Sequence, residues 1–200
     1  IYKDDNQALR HFYSIKDVEN SLTDNNLRCM HRINDERIFI GTADGLCEYN
    51  ALNNNIKRIN LNLLTTNQSP RLDISNIMSF SENEIMISTY TNGLYLYNYQ
   101  ENTATHISKF NTRNAISENY IFDVYKDDMG SVWVATFTGL NRFENNLAKF
   151  STVNIFENGS LLSINYFLDL QYDDNILIGT SSGIKVFNTK DESIVDFKTF

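Results

Sequence analysis

Three histidines, two cysteines and 25 acidic residues are the groups in this chain that could ligate a metal, attack a substrate or carry a proton. His11, His31 and His106 fall in strand-like runs with no second histidine or cysteine at ligand spacing, which points to structural or surface roles rather than to zinc. Cys29 and Cys47 lack the paired spacing of a zinc site and are too few for a disulfide scaffold. The acidic pairs Asp4-Asp5, Asp127-Asp128 and Asp173-Asp174 lack the alternating oxygen ligands of a calcium loop and read as solvated turns. Two carboxylates could hydrolyse a glycosidic bond, but no Asp or Glu stands in a distinctive motif. Thr180-Ser181-Ser182 lacks the glycine-flanked elbow of a serine nucleophile. No catalytic residue, metal or cofactor is therefore expected.

The aromatic residues are the stronger signal. With 13 Phe, 11 Tyr and 1 Trp beside many Asn and Asp residues, the chain can build flat apolar faces edged by hydrogen-bonding groups. Sugars favour such surfaces, because a pyranose ring presents C–H groups on its faces and hydroxyls around its rim. Which aromatics reach solvent depends on the elements that carry them.

Those elements repeat. Four segments superimpose: FIGTADGLCEYN from Phe39, MISTYTNGLYLYN from Met86, WVATFTGLNRFE from Trp133 and LIGTSSGIKVFN from Leu177. The threonines Thr42, Thr89, Thr136 and Thr180 recur at intervals of 47, 47 and 44, each preceded by Gly41, Ser88, Ala135 or Gly179. A glycine follows (Gly45, Gly93, Gly139, Gly183), and four residues beyond it an aromatic (Tyr49, Tyr97, Phe143, Phe187). Two short apolar runs joined by a glycine turn predict an antiparallel hairpin, with positive φ at the glycine, Gly139 included. An upstream run (from Leu27, Ile74, Asn119 and Ile164) predicts an inner strand. A more polar downstream run (from Ile56, Ala104, Leu147 and Ser193) predicts a fourth. Four strands in about 46 residues is the size of one propeller blade. The small residue before each threonine would let neighbouring blades approach near the axis. The strand order separates Cys29 and Cys47 by one strand, too far apart for a disulfide.

The predicted architecture is thus all-β, a propeller arc of four-stranded antiparallel blades spanning 1–200: a half blade at 1–15 and blades at 16–63, 64–111, 112–154 and 155–200. The chain enters mid-blade without inner strands at its far end to complete that half blade, so it reads as an arc of about four and a half blades from a larger ring. A formal charge of −8 has the wrong sign for nucleic acid or anionic lipid. No stretch has the length of a membrane span. Antiparallel strands return the chain to one face at the second-to-third turn and at the crossover between blades. That face collects Asp44, Tyr90, Asn92, Phe137 and Ser182 with the crossover residues Asp24, Asn26, Arg71, Arg113, Asn114, Asn119 and Tyr166. The ligand-contact candidates are Asp44, Tyr90, Asn92, Arg113, Asn114, Asn119, Phe137 and Tyr166, with Arg113 or Asn114 placed to bind hydroxyls or an acidic sugar. Trp133 is assigned to the core.

The strings DDMGSVWVATFTGLNRFE (Asp127 to Glu144) and INDERIFIGTADGLCEYN (Ile33 to Asn50) resemble the two-component regulator propeller repeat, with its acidic residue, glycine turn, aromatic, small residue plus threonine, Gly-Leu and second aromatic. The second copy departs by a longer hairpin turn and the fourth by Ile184 in place of Leu. The resemblance implies the periplasmic sensor region of an inner-membrane hybrid histidine kinase, often seven-bladed, that detects carbohydrate fragments. The kinase activity would reside elsewhere in the protein. Partners implied are an oligosaccharide, the remaining blades and downstream signalling domains of the same chain, and, as an option, a second copy. The alternative is a protein-interaction scaffold using the same loop face. A polysaccharide-active enzyme comes third.

Overall fold

The computed structural model describes residues 11–65, 69, 71–111, 115–144, 149–169 and 174–197. The first sheet holds β1 (Leu27–Arg32), β2 (Arg37–Thr42), β3 (Gly45–Asn50) and β4 (Asn55–Ile59), and a single helical turn, α1 (Leu61–Leu64), follows it. The second holds β5 (Ile74–Ser79), β6 (Glu84–Thr89), β7 (Leu94–Asn98) and β8 (Thr103–Ile107). The third holds β9 (Ile121–Lys126), β10 (Val132–Thr136), β11 (Gly139–Glu144) and β12 (Lys149–Val153). A small hairpin, β13 (Phe156–Glu157) and β14 (Ser160–Leu161), precedes the fourth sheet of β15 (Ile164–Asp169), β16 (Asn175–Thr180), β17 (Gly183–Asn188) and β18 (Ile194–Asp196). Every four-stranded sheet pairs its strands antiparallel in chain order, the arrangement expected of propeller blades. Residues 11–15, expected in a half blade, carry no strand; residues 1–10 lie outside the described residues.

The core lies between blades rather than within one. Phe39 of β2 packs with Ile74, Ile77, Ile85 and Tyr95 of the second blade; Met86 packs with Ile121, Val124 and Val132 of the third; Trp133 packs with Ile164, Ile178 and Phe187 of the fourth. Alternation along each second strand therefore sends one residue toward the next blade and its neighbour toward the preceding one. Gly41 and Ala135, two of the small residues before the repeated threonines, face this contact. A Cβ at Gly41 would lie 2.6 Å from Ile74 Cγ2 and 2.7 Å from Cys29 Sγ. Trp133 is fully buried, and its indole N–H donates to Asp127 Oδ2 at 2.8 Å. Asp127 Oδ1 accepts from Ser131 N at 2.8 Å, so this member of an acidic pair, read from sequence as solvated, is a buried turn cap. Asp4, Asp5 and Asp173 lie outside the described residues.

The outer turns explain the asparagines and the recurring tyrosines. Asn54 and Asn102 adopt φ of 53° and 54°, which Asn tolerates better than most residues. Tyr49 and Tyr97 donate their hydroxyls to the side-chain carbonyls of those asparagines at 3.0 and 2.9 Å. Asn50 and Asn98 close the same turns, and Asn188 the corresponding turn of the fourth blade, by accepting two following backbone N–H groups each.

Candidate functional site

The repeated threonines build the loop face. Thr42, Thr89, Thr136 and Thr180 each donate the hydroxyl to the carbonyl of the turn glycine, at 3.1, 2.9, 2.8 and 2.8 Å. Each also accepts a backbone N–H from within the turn: Asp44, Asn92, Thr138 and Ser182. The residue after each threonine donates its N–H to the carbonyl just before the inner strand: Ala43 to Asn26, Tyr90 to Asp73, Phe137 to Tyr120 and Ser181 to Ser163, at 2.9 to 3.2 Å. Hairpin tip and crossover are thereby locked together in all four blades.

A third position joins them. Each inner strand slips register after its first residue, leaving Arg28, Ser75, Phe122 and Asn165 as unpaired bulge residues. Bulges re-aim side chains, and they recur beside binding sites. Every blade so presents three side chains from fixed backbone positions. The first blade offers Ala43, Asn26 and Arg28; the second Tyr90, Asp73 and Ser75; the third Phe137, Tyr120 and Phe122; the fourth Ser181, Ser163 and Asn165.

In the middle blades these side chains form an aromatic cluster. Tyr90 lies 5.8 Å from Tyr120 and 6.4 Å from Phe122, ring centre to ring centre; Tyr120 lies 5.1 Å from Phe122 and 6.3 Å from Phe137. None of these pairs is a parallel stack, so ring faces and edges are both presented. Phe137 is 61% and Tyr120 40% exposed, although both are large and apolar. Arg28 closes one side. Its Nε and Nη2 donate to the two carboxylate oxygens of Asp73 at 2.8 and 2.9 Å, and the guanidinium carbon lies 5.6 Å from the Tyr90 ring centre. Burial holds the Tyr90 hydroxyl above its ordinary value, with Tyr166 adding to the shift. Tyr166 in β15 is 66% exposed.

The other candidates are placed differently. Asn92 donates its amide to Arg71 O and Thr91 Oγ1, and its backbone carbonyl lies 2.7 Å from His106 Nε2. Asn119 accepts from Gly93 N through its backbone carbonyl and from Lys109 N through its side chain. Both are braces of the loop face. Asp44 is exposed on a separate cleft of about 260 Å³ with Arg58, Asn60 and Arg71. Arg113 and Asn114 lie outside the described residues. Tyr120, Phe122, Arg28 and Asp73 are not among the candidates that the sequence offers. Tyr120 precedes its inner strand as Asp73 does, a signal available from the repeat alignment; the bulges left none.

His31 Nε2 lies 2.8 Å from Ser79 Oγ, and no group of three metal-ligating side chains occurs among the described residues. Cys29 and Cys47 are free and sit on β1 and β3 with β2 between them. Burial pushes the Cys29 thiol up to about 12 and raises Cys47 as well.

No family model and no curated protein matches the chain. Solved structures do. The extracellular domain of a protein described as the hybrid two-component system BT3049 from B. thetaiotaomicron is 17% identical, with a TM-score of 0.72 over 94% of this chain and 24% of its own. The corresponding domain of BT4673 from the same organism is 20% identical, with a TM-score of 0.73 over 90% of this chain and 23% of its own. The WD40 propeller domain of Doa1 is 8% identical, with a TM-score of 0.62. The fold is a β-propeller arc. It spans about a quarter of the length of the two B. thetaiotaomicron domains.

Proposed function

We propose that this chain is the ligand-binding part of a periplasmic sensor in a hybrid two-component signalling protein, and that its aromatic cluster binds a carbohydrate fragment. The observation that carries the reading is the placement of Tyr90, Tyr120, Phe122 and Phe137. These rings gather at turn tips and at a bulge, where Phe137 and Tyr120 stay substantially exposed while the blade cores close without them. Large aromatics held outside a core by repeated backbone devices are suited to stack on a sugar ring. The two B. thetaiotaomicron extracellular domains of similar fold support the cellular setting.

The end faces support further blades on either side. On the first blade, Leu27 is 46% and Met30 69% exposed, whereas the matching Ile74 and Ile77 are covered. With Phe12, Leu22, Ile38 and Tyr49 they line an apolar cleft of about 380 Å³. At the other end, a Cβ on Gly179 would touch only Tyr166 of its own blade. Additional blades of the same chain would cover both faces, and ligand binding would signal by favouring one arrangement of blades or domains over another, in proportion to its differential affinity for the two.

The test is calorimetry of the intact protein against an oligosaccharide panel, with Phe137→Ala and Phe122→Ala alongside and with assay for cleaved product. Each variant should weaken binding by about 1 to 3 kcal/mol, the usual effect of truncating a contacting aromatic, with unchanged circular dichroism. Absence of saccharide binding would overturn the reading in favour of a protein scaffold. Release of product would overturn it in favour of an enzyme, and unaltered binding in both variants would displace the site.

A further inference from the structure

Sugars that stack alike differ in charge, and the polar rim of the cluster discriminates between them. The guanidinium at the cluster belongs to Arg28, and it is already engaged bidentately by Asp73, with both side chains partly shielded at 32% and 24% exposure. Asp24 adds a second carboxylate to its electrostatic surroundings. Arg28 and Asp73 are among the charged side chains that act on Tyr90. Lys109, in the crossover that carries Tyr120, is likewise occupied, donating to both carboxylate oxygens of Glu118 at 3.0 and 3.2 Å. Arg28 and Lys109 therefore each already have a carboxylate, Arg71 of the crossover that carries Asp73 donates its Nε to Ala43 O at 2.7 Å in the cleft with Asp44, and Asp24 adds negative charge around an arginine that is paired elsewhere. A uronate or sulfated sugar would have to displace Asp73 from Arg28 or lie against uncompensated negative charge, and either outcome is unfavourable in a partly desolvated site.

Resting on the saccharide reading above, we infer that the site selects neutral sugars and that the Arg28–Asp73 pair is its charge filter. The bulge carries Arg28 across to the second blade, and Asp73 is anchored there because its own carbonyl accepts Tyr90 N at 2.9 Å. The pair thus has a fixed place beside the Tyr90 ring. The filled guanidinium can still offer its remaining N–H groups to hydroxyls, and Asp73 can accept from them, which is the chemistry of a neutral polyol. Selection here is by exclusion: like charge repels the wrong ligand more than added contacts attract the right one.

The experiment measures binding of the intact protein to neutral oligosaccharides and to uronate-containing ones matched in length and linkage, at two salt concentrations. Neutral members should bind at least ~10-fold more tightly than their acidic counterparts, and the gap should narrow in high salt as the repulsion is screened. Asp73→Asn frees the Arg28 charge and should shrink the neutral preference by on the order of 10-fold, chiefly by improving acidic ligands. Should that variant misfold, the comparison on the unaltered protein still decides. Equal or tighter binding of the acidic series would overturn the charge filter while leaving the saccharide site intact. Failure of every saccharide to bind would remove both.

Discussion

Asp123 Oδ2 accepts the backbone N–H of Phe167 at 2.9 Å, so a side chain of the third inner strand satisfies a donor of the fourth. The other oxygen accepts Val124 N at 2.9 Å and the side-chain amide of Asn76 from the second blade. One buried carboxylate holds three blades near the axis, at the position occupied by Cys29 in the first blade and Tyr166 in the fourth.

Burial raises the Asp123 carboxyl above its ordinary value of 3.8, against the downward pull of its three N–H donors. The folded chain therefore holds this proton more tightly than the unfolded chain does. The resulting stabilisation is fully present below pH 3.8 and is lost as pH rises through the raised folded value. Asp123→Asn should remove that component of the pH dependence, measured as urea midpoints across the acidic range. An unchanged slope of stability against pH would refute it. Asp123→Ala should cost about 2 to 4 kcal/mol, because it strands donors in three blades.

Gly41 and Gly179 occupy equivalent positions but different surroundings. Gly41→Ala drives a Cβ into Ile74 and Cys29, and should lower stability by roughly 1 to 3 kcal/mol through overpacking. Gly179→Ala meets nothing closer than 3.7 Å and should be nearly neutral in the isolated chain. Equal effects in thermal unfolding would contradict the blade contact.

Gly139 and Gly183 separate backbone strain from crowding. Their φ angles are 115° and 116°, yet a Cβ at Gly139 would lie 3.3 Å from Val153 O while one at Gly183 would meet nothing within 4 Å. Substitution by alanine should cost about 1 kcal/mol or more at both, from the φ alone, and more at Gly139. A larger loss at Gly183 would show that the turn is held by something other than these contacts.

The thiols offer a probe of opening. With Cys29 pushed up to about 12 and Cys47 also raised by burial, neither should react appreciably with iodoacetamide at pH 8 in the folded chain. Both should react fully on unfolding without reductant. Rapid native labelling of Cys47 would mean that the packing of Thr23 against it, at 3.3 Å from backbone N to Sγ, opens readily.

Much of the fold was legible in the chain because its determinants are local and repeated. Glycine at a positive-φ turn, threonine three or four residues earlier and period-2 apolar runs define a hairpin wherever they occur, and four occurrences at near-constant spacing define an array. Gly139 at positive φ, Trp133 in the core and the strand order separating Cys29 from Cys47 all followed from that logic. The loop face was legible too, since antiparallel connectivity assigns every second turn to one side. Tyr90, Phe137 and Tyr166 were read from it.

What tertiary structure alone decided is which side chains on that face meet. Arg28 and Asp73 are 45 residues apart and in different blades, and Asp123 reaches residues 47 before it and 44 after it. A one-residue register slip in each inner strand leaves Arg28 and Phe122 out of the ladder and beside the aromatic cluster, and no local sequence pattern codes for that slip. Asn92 and Asn119, polar and on the same face, hydrogen-bond to backbone groups of that face, contacts that the packed blades supply. Chain chemistry dictates the repeated scaffold; the choice between a brace and a free binding group rests on long-range neighbours that only the packed blades supply.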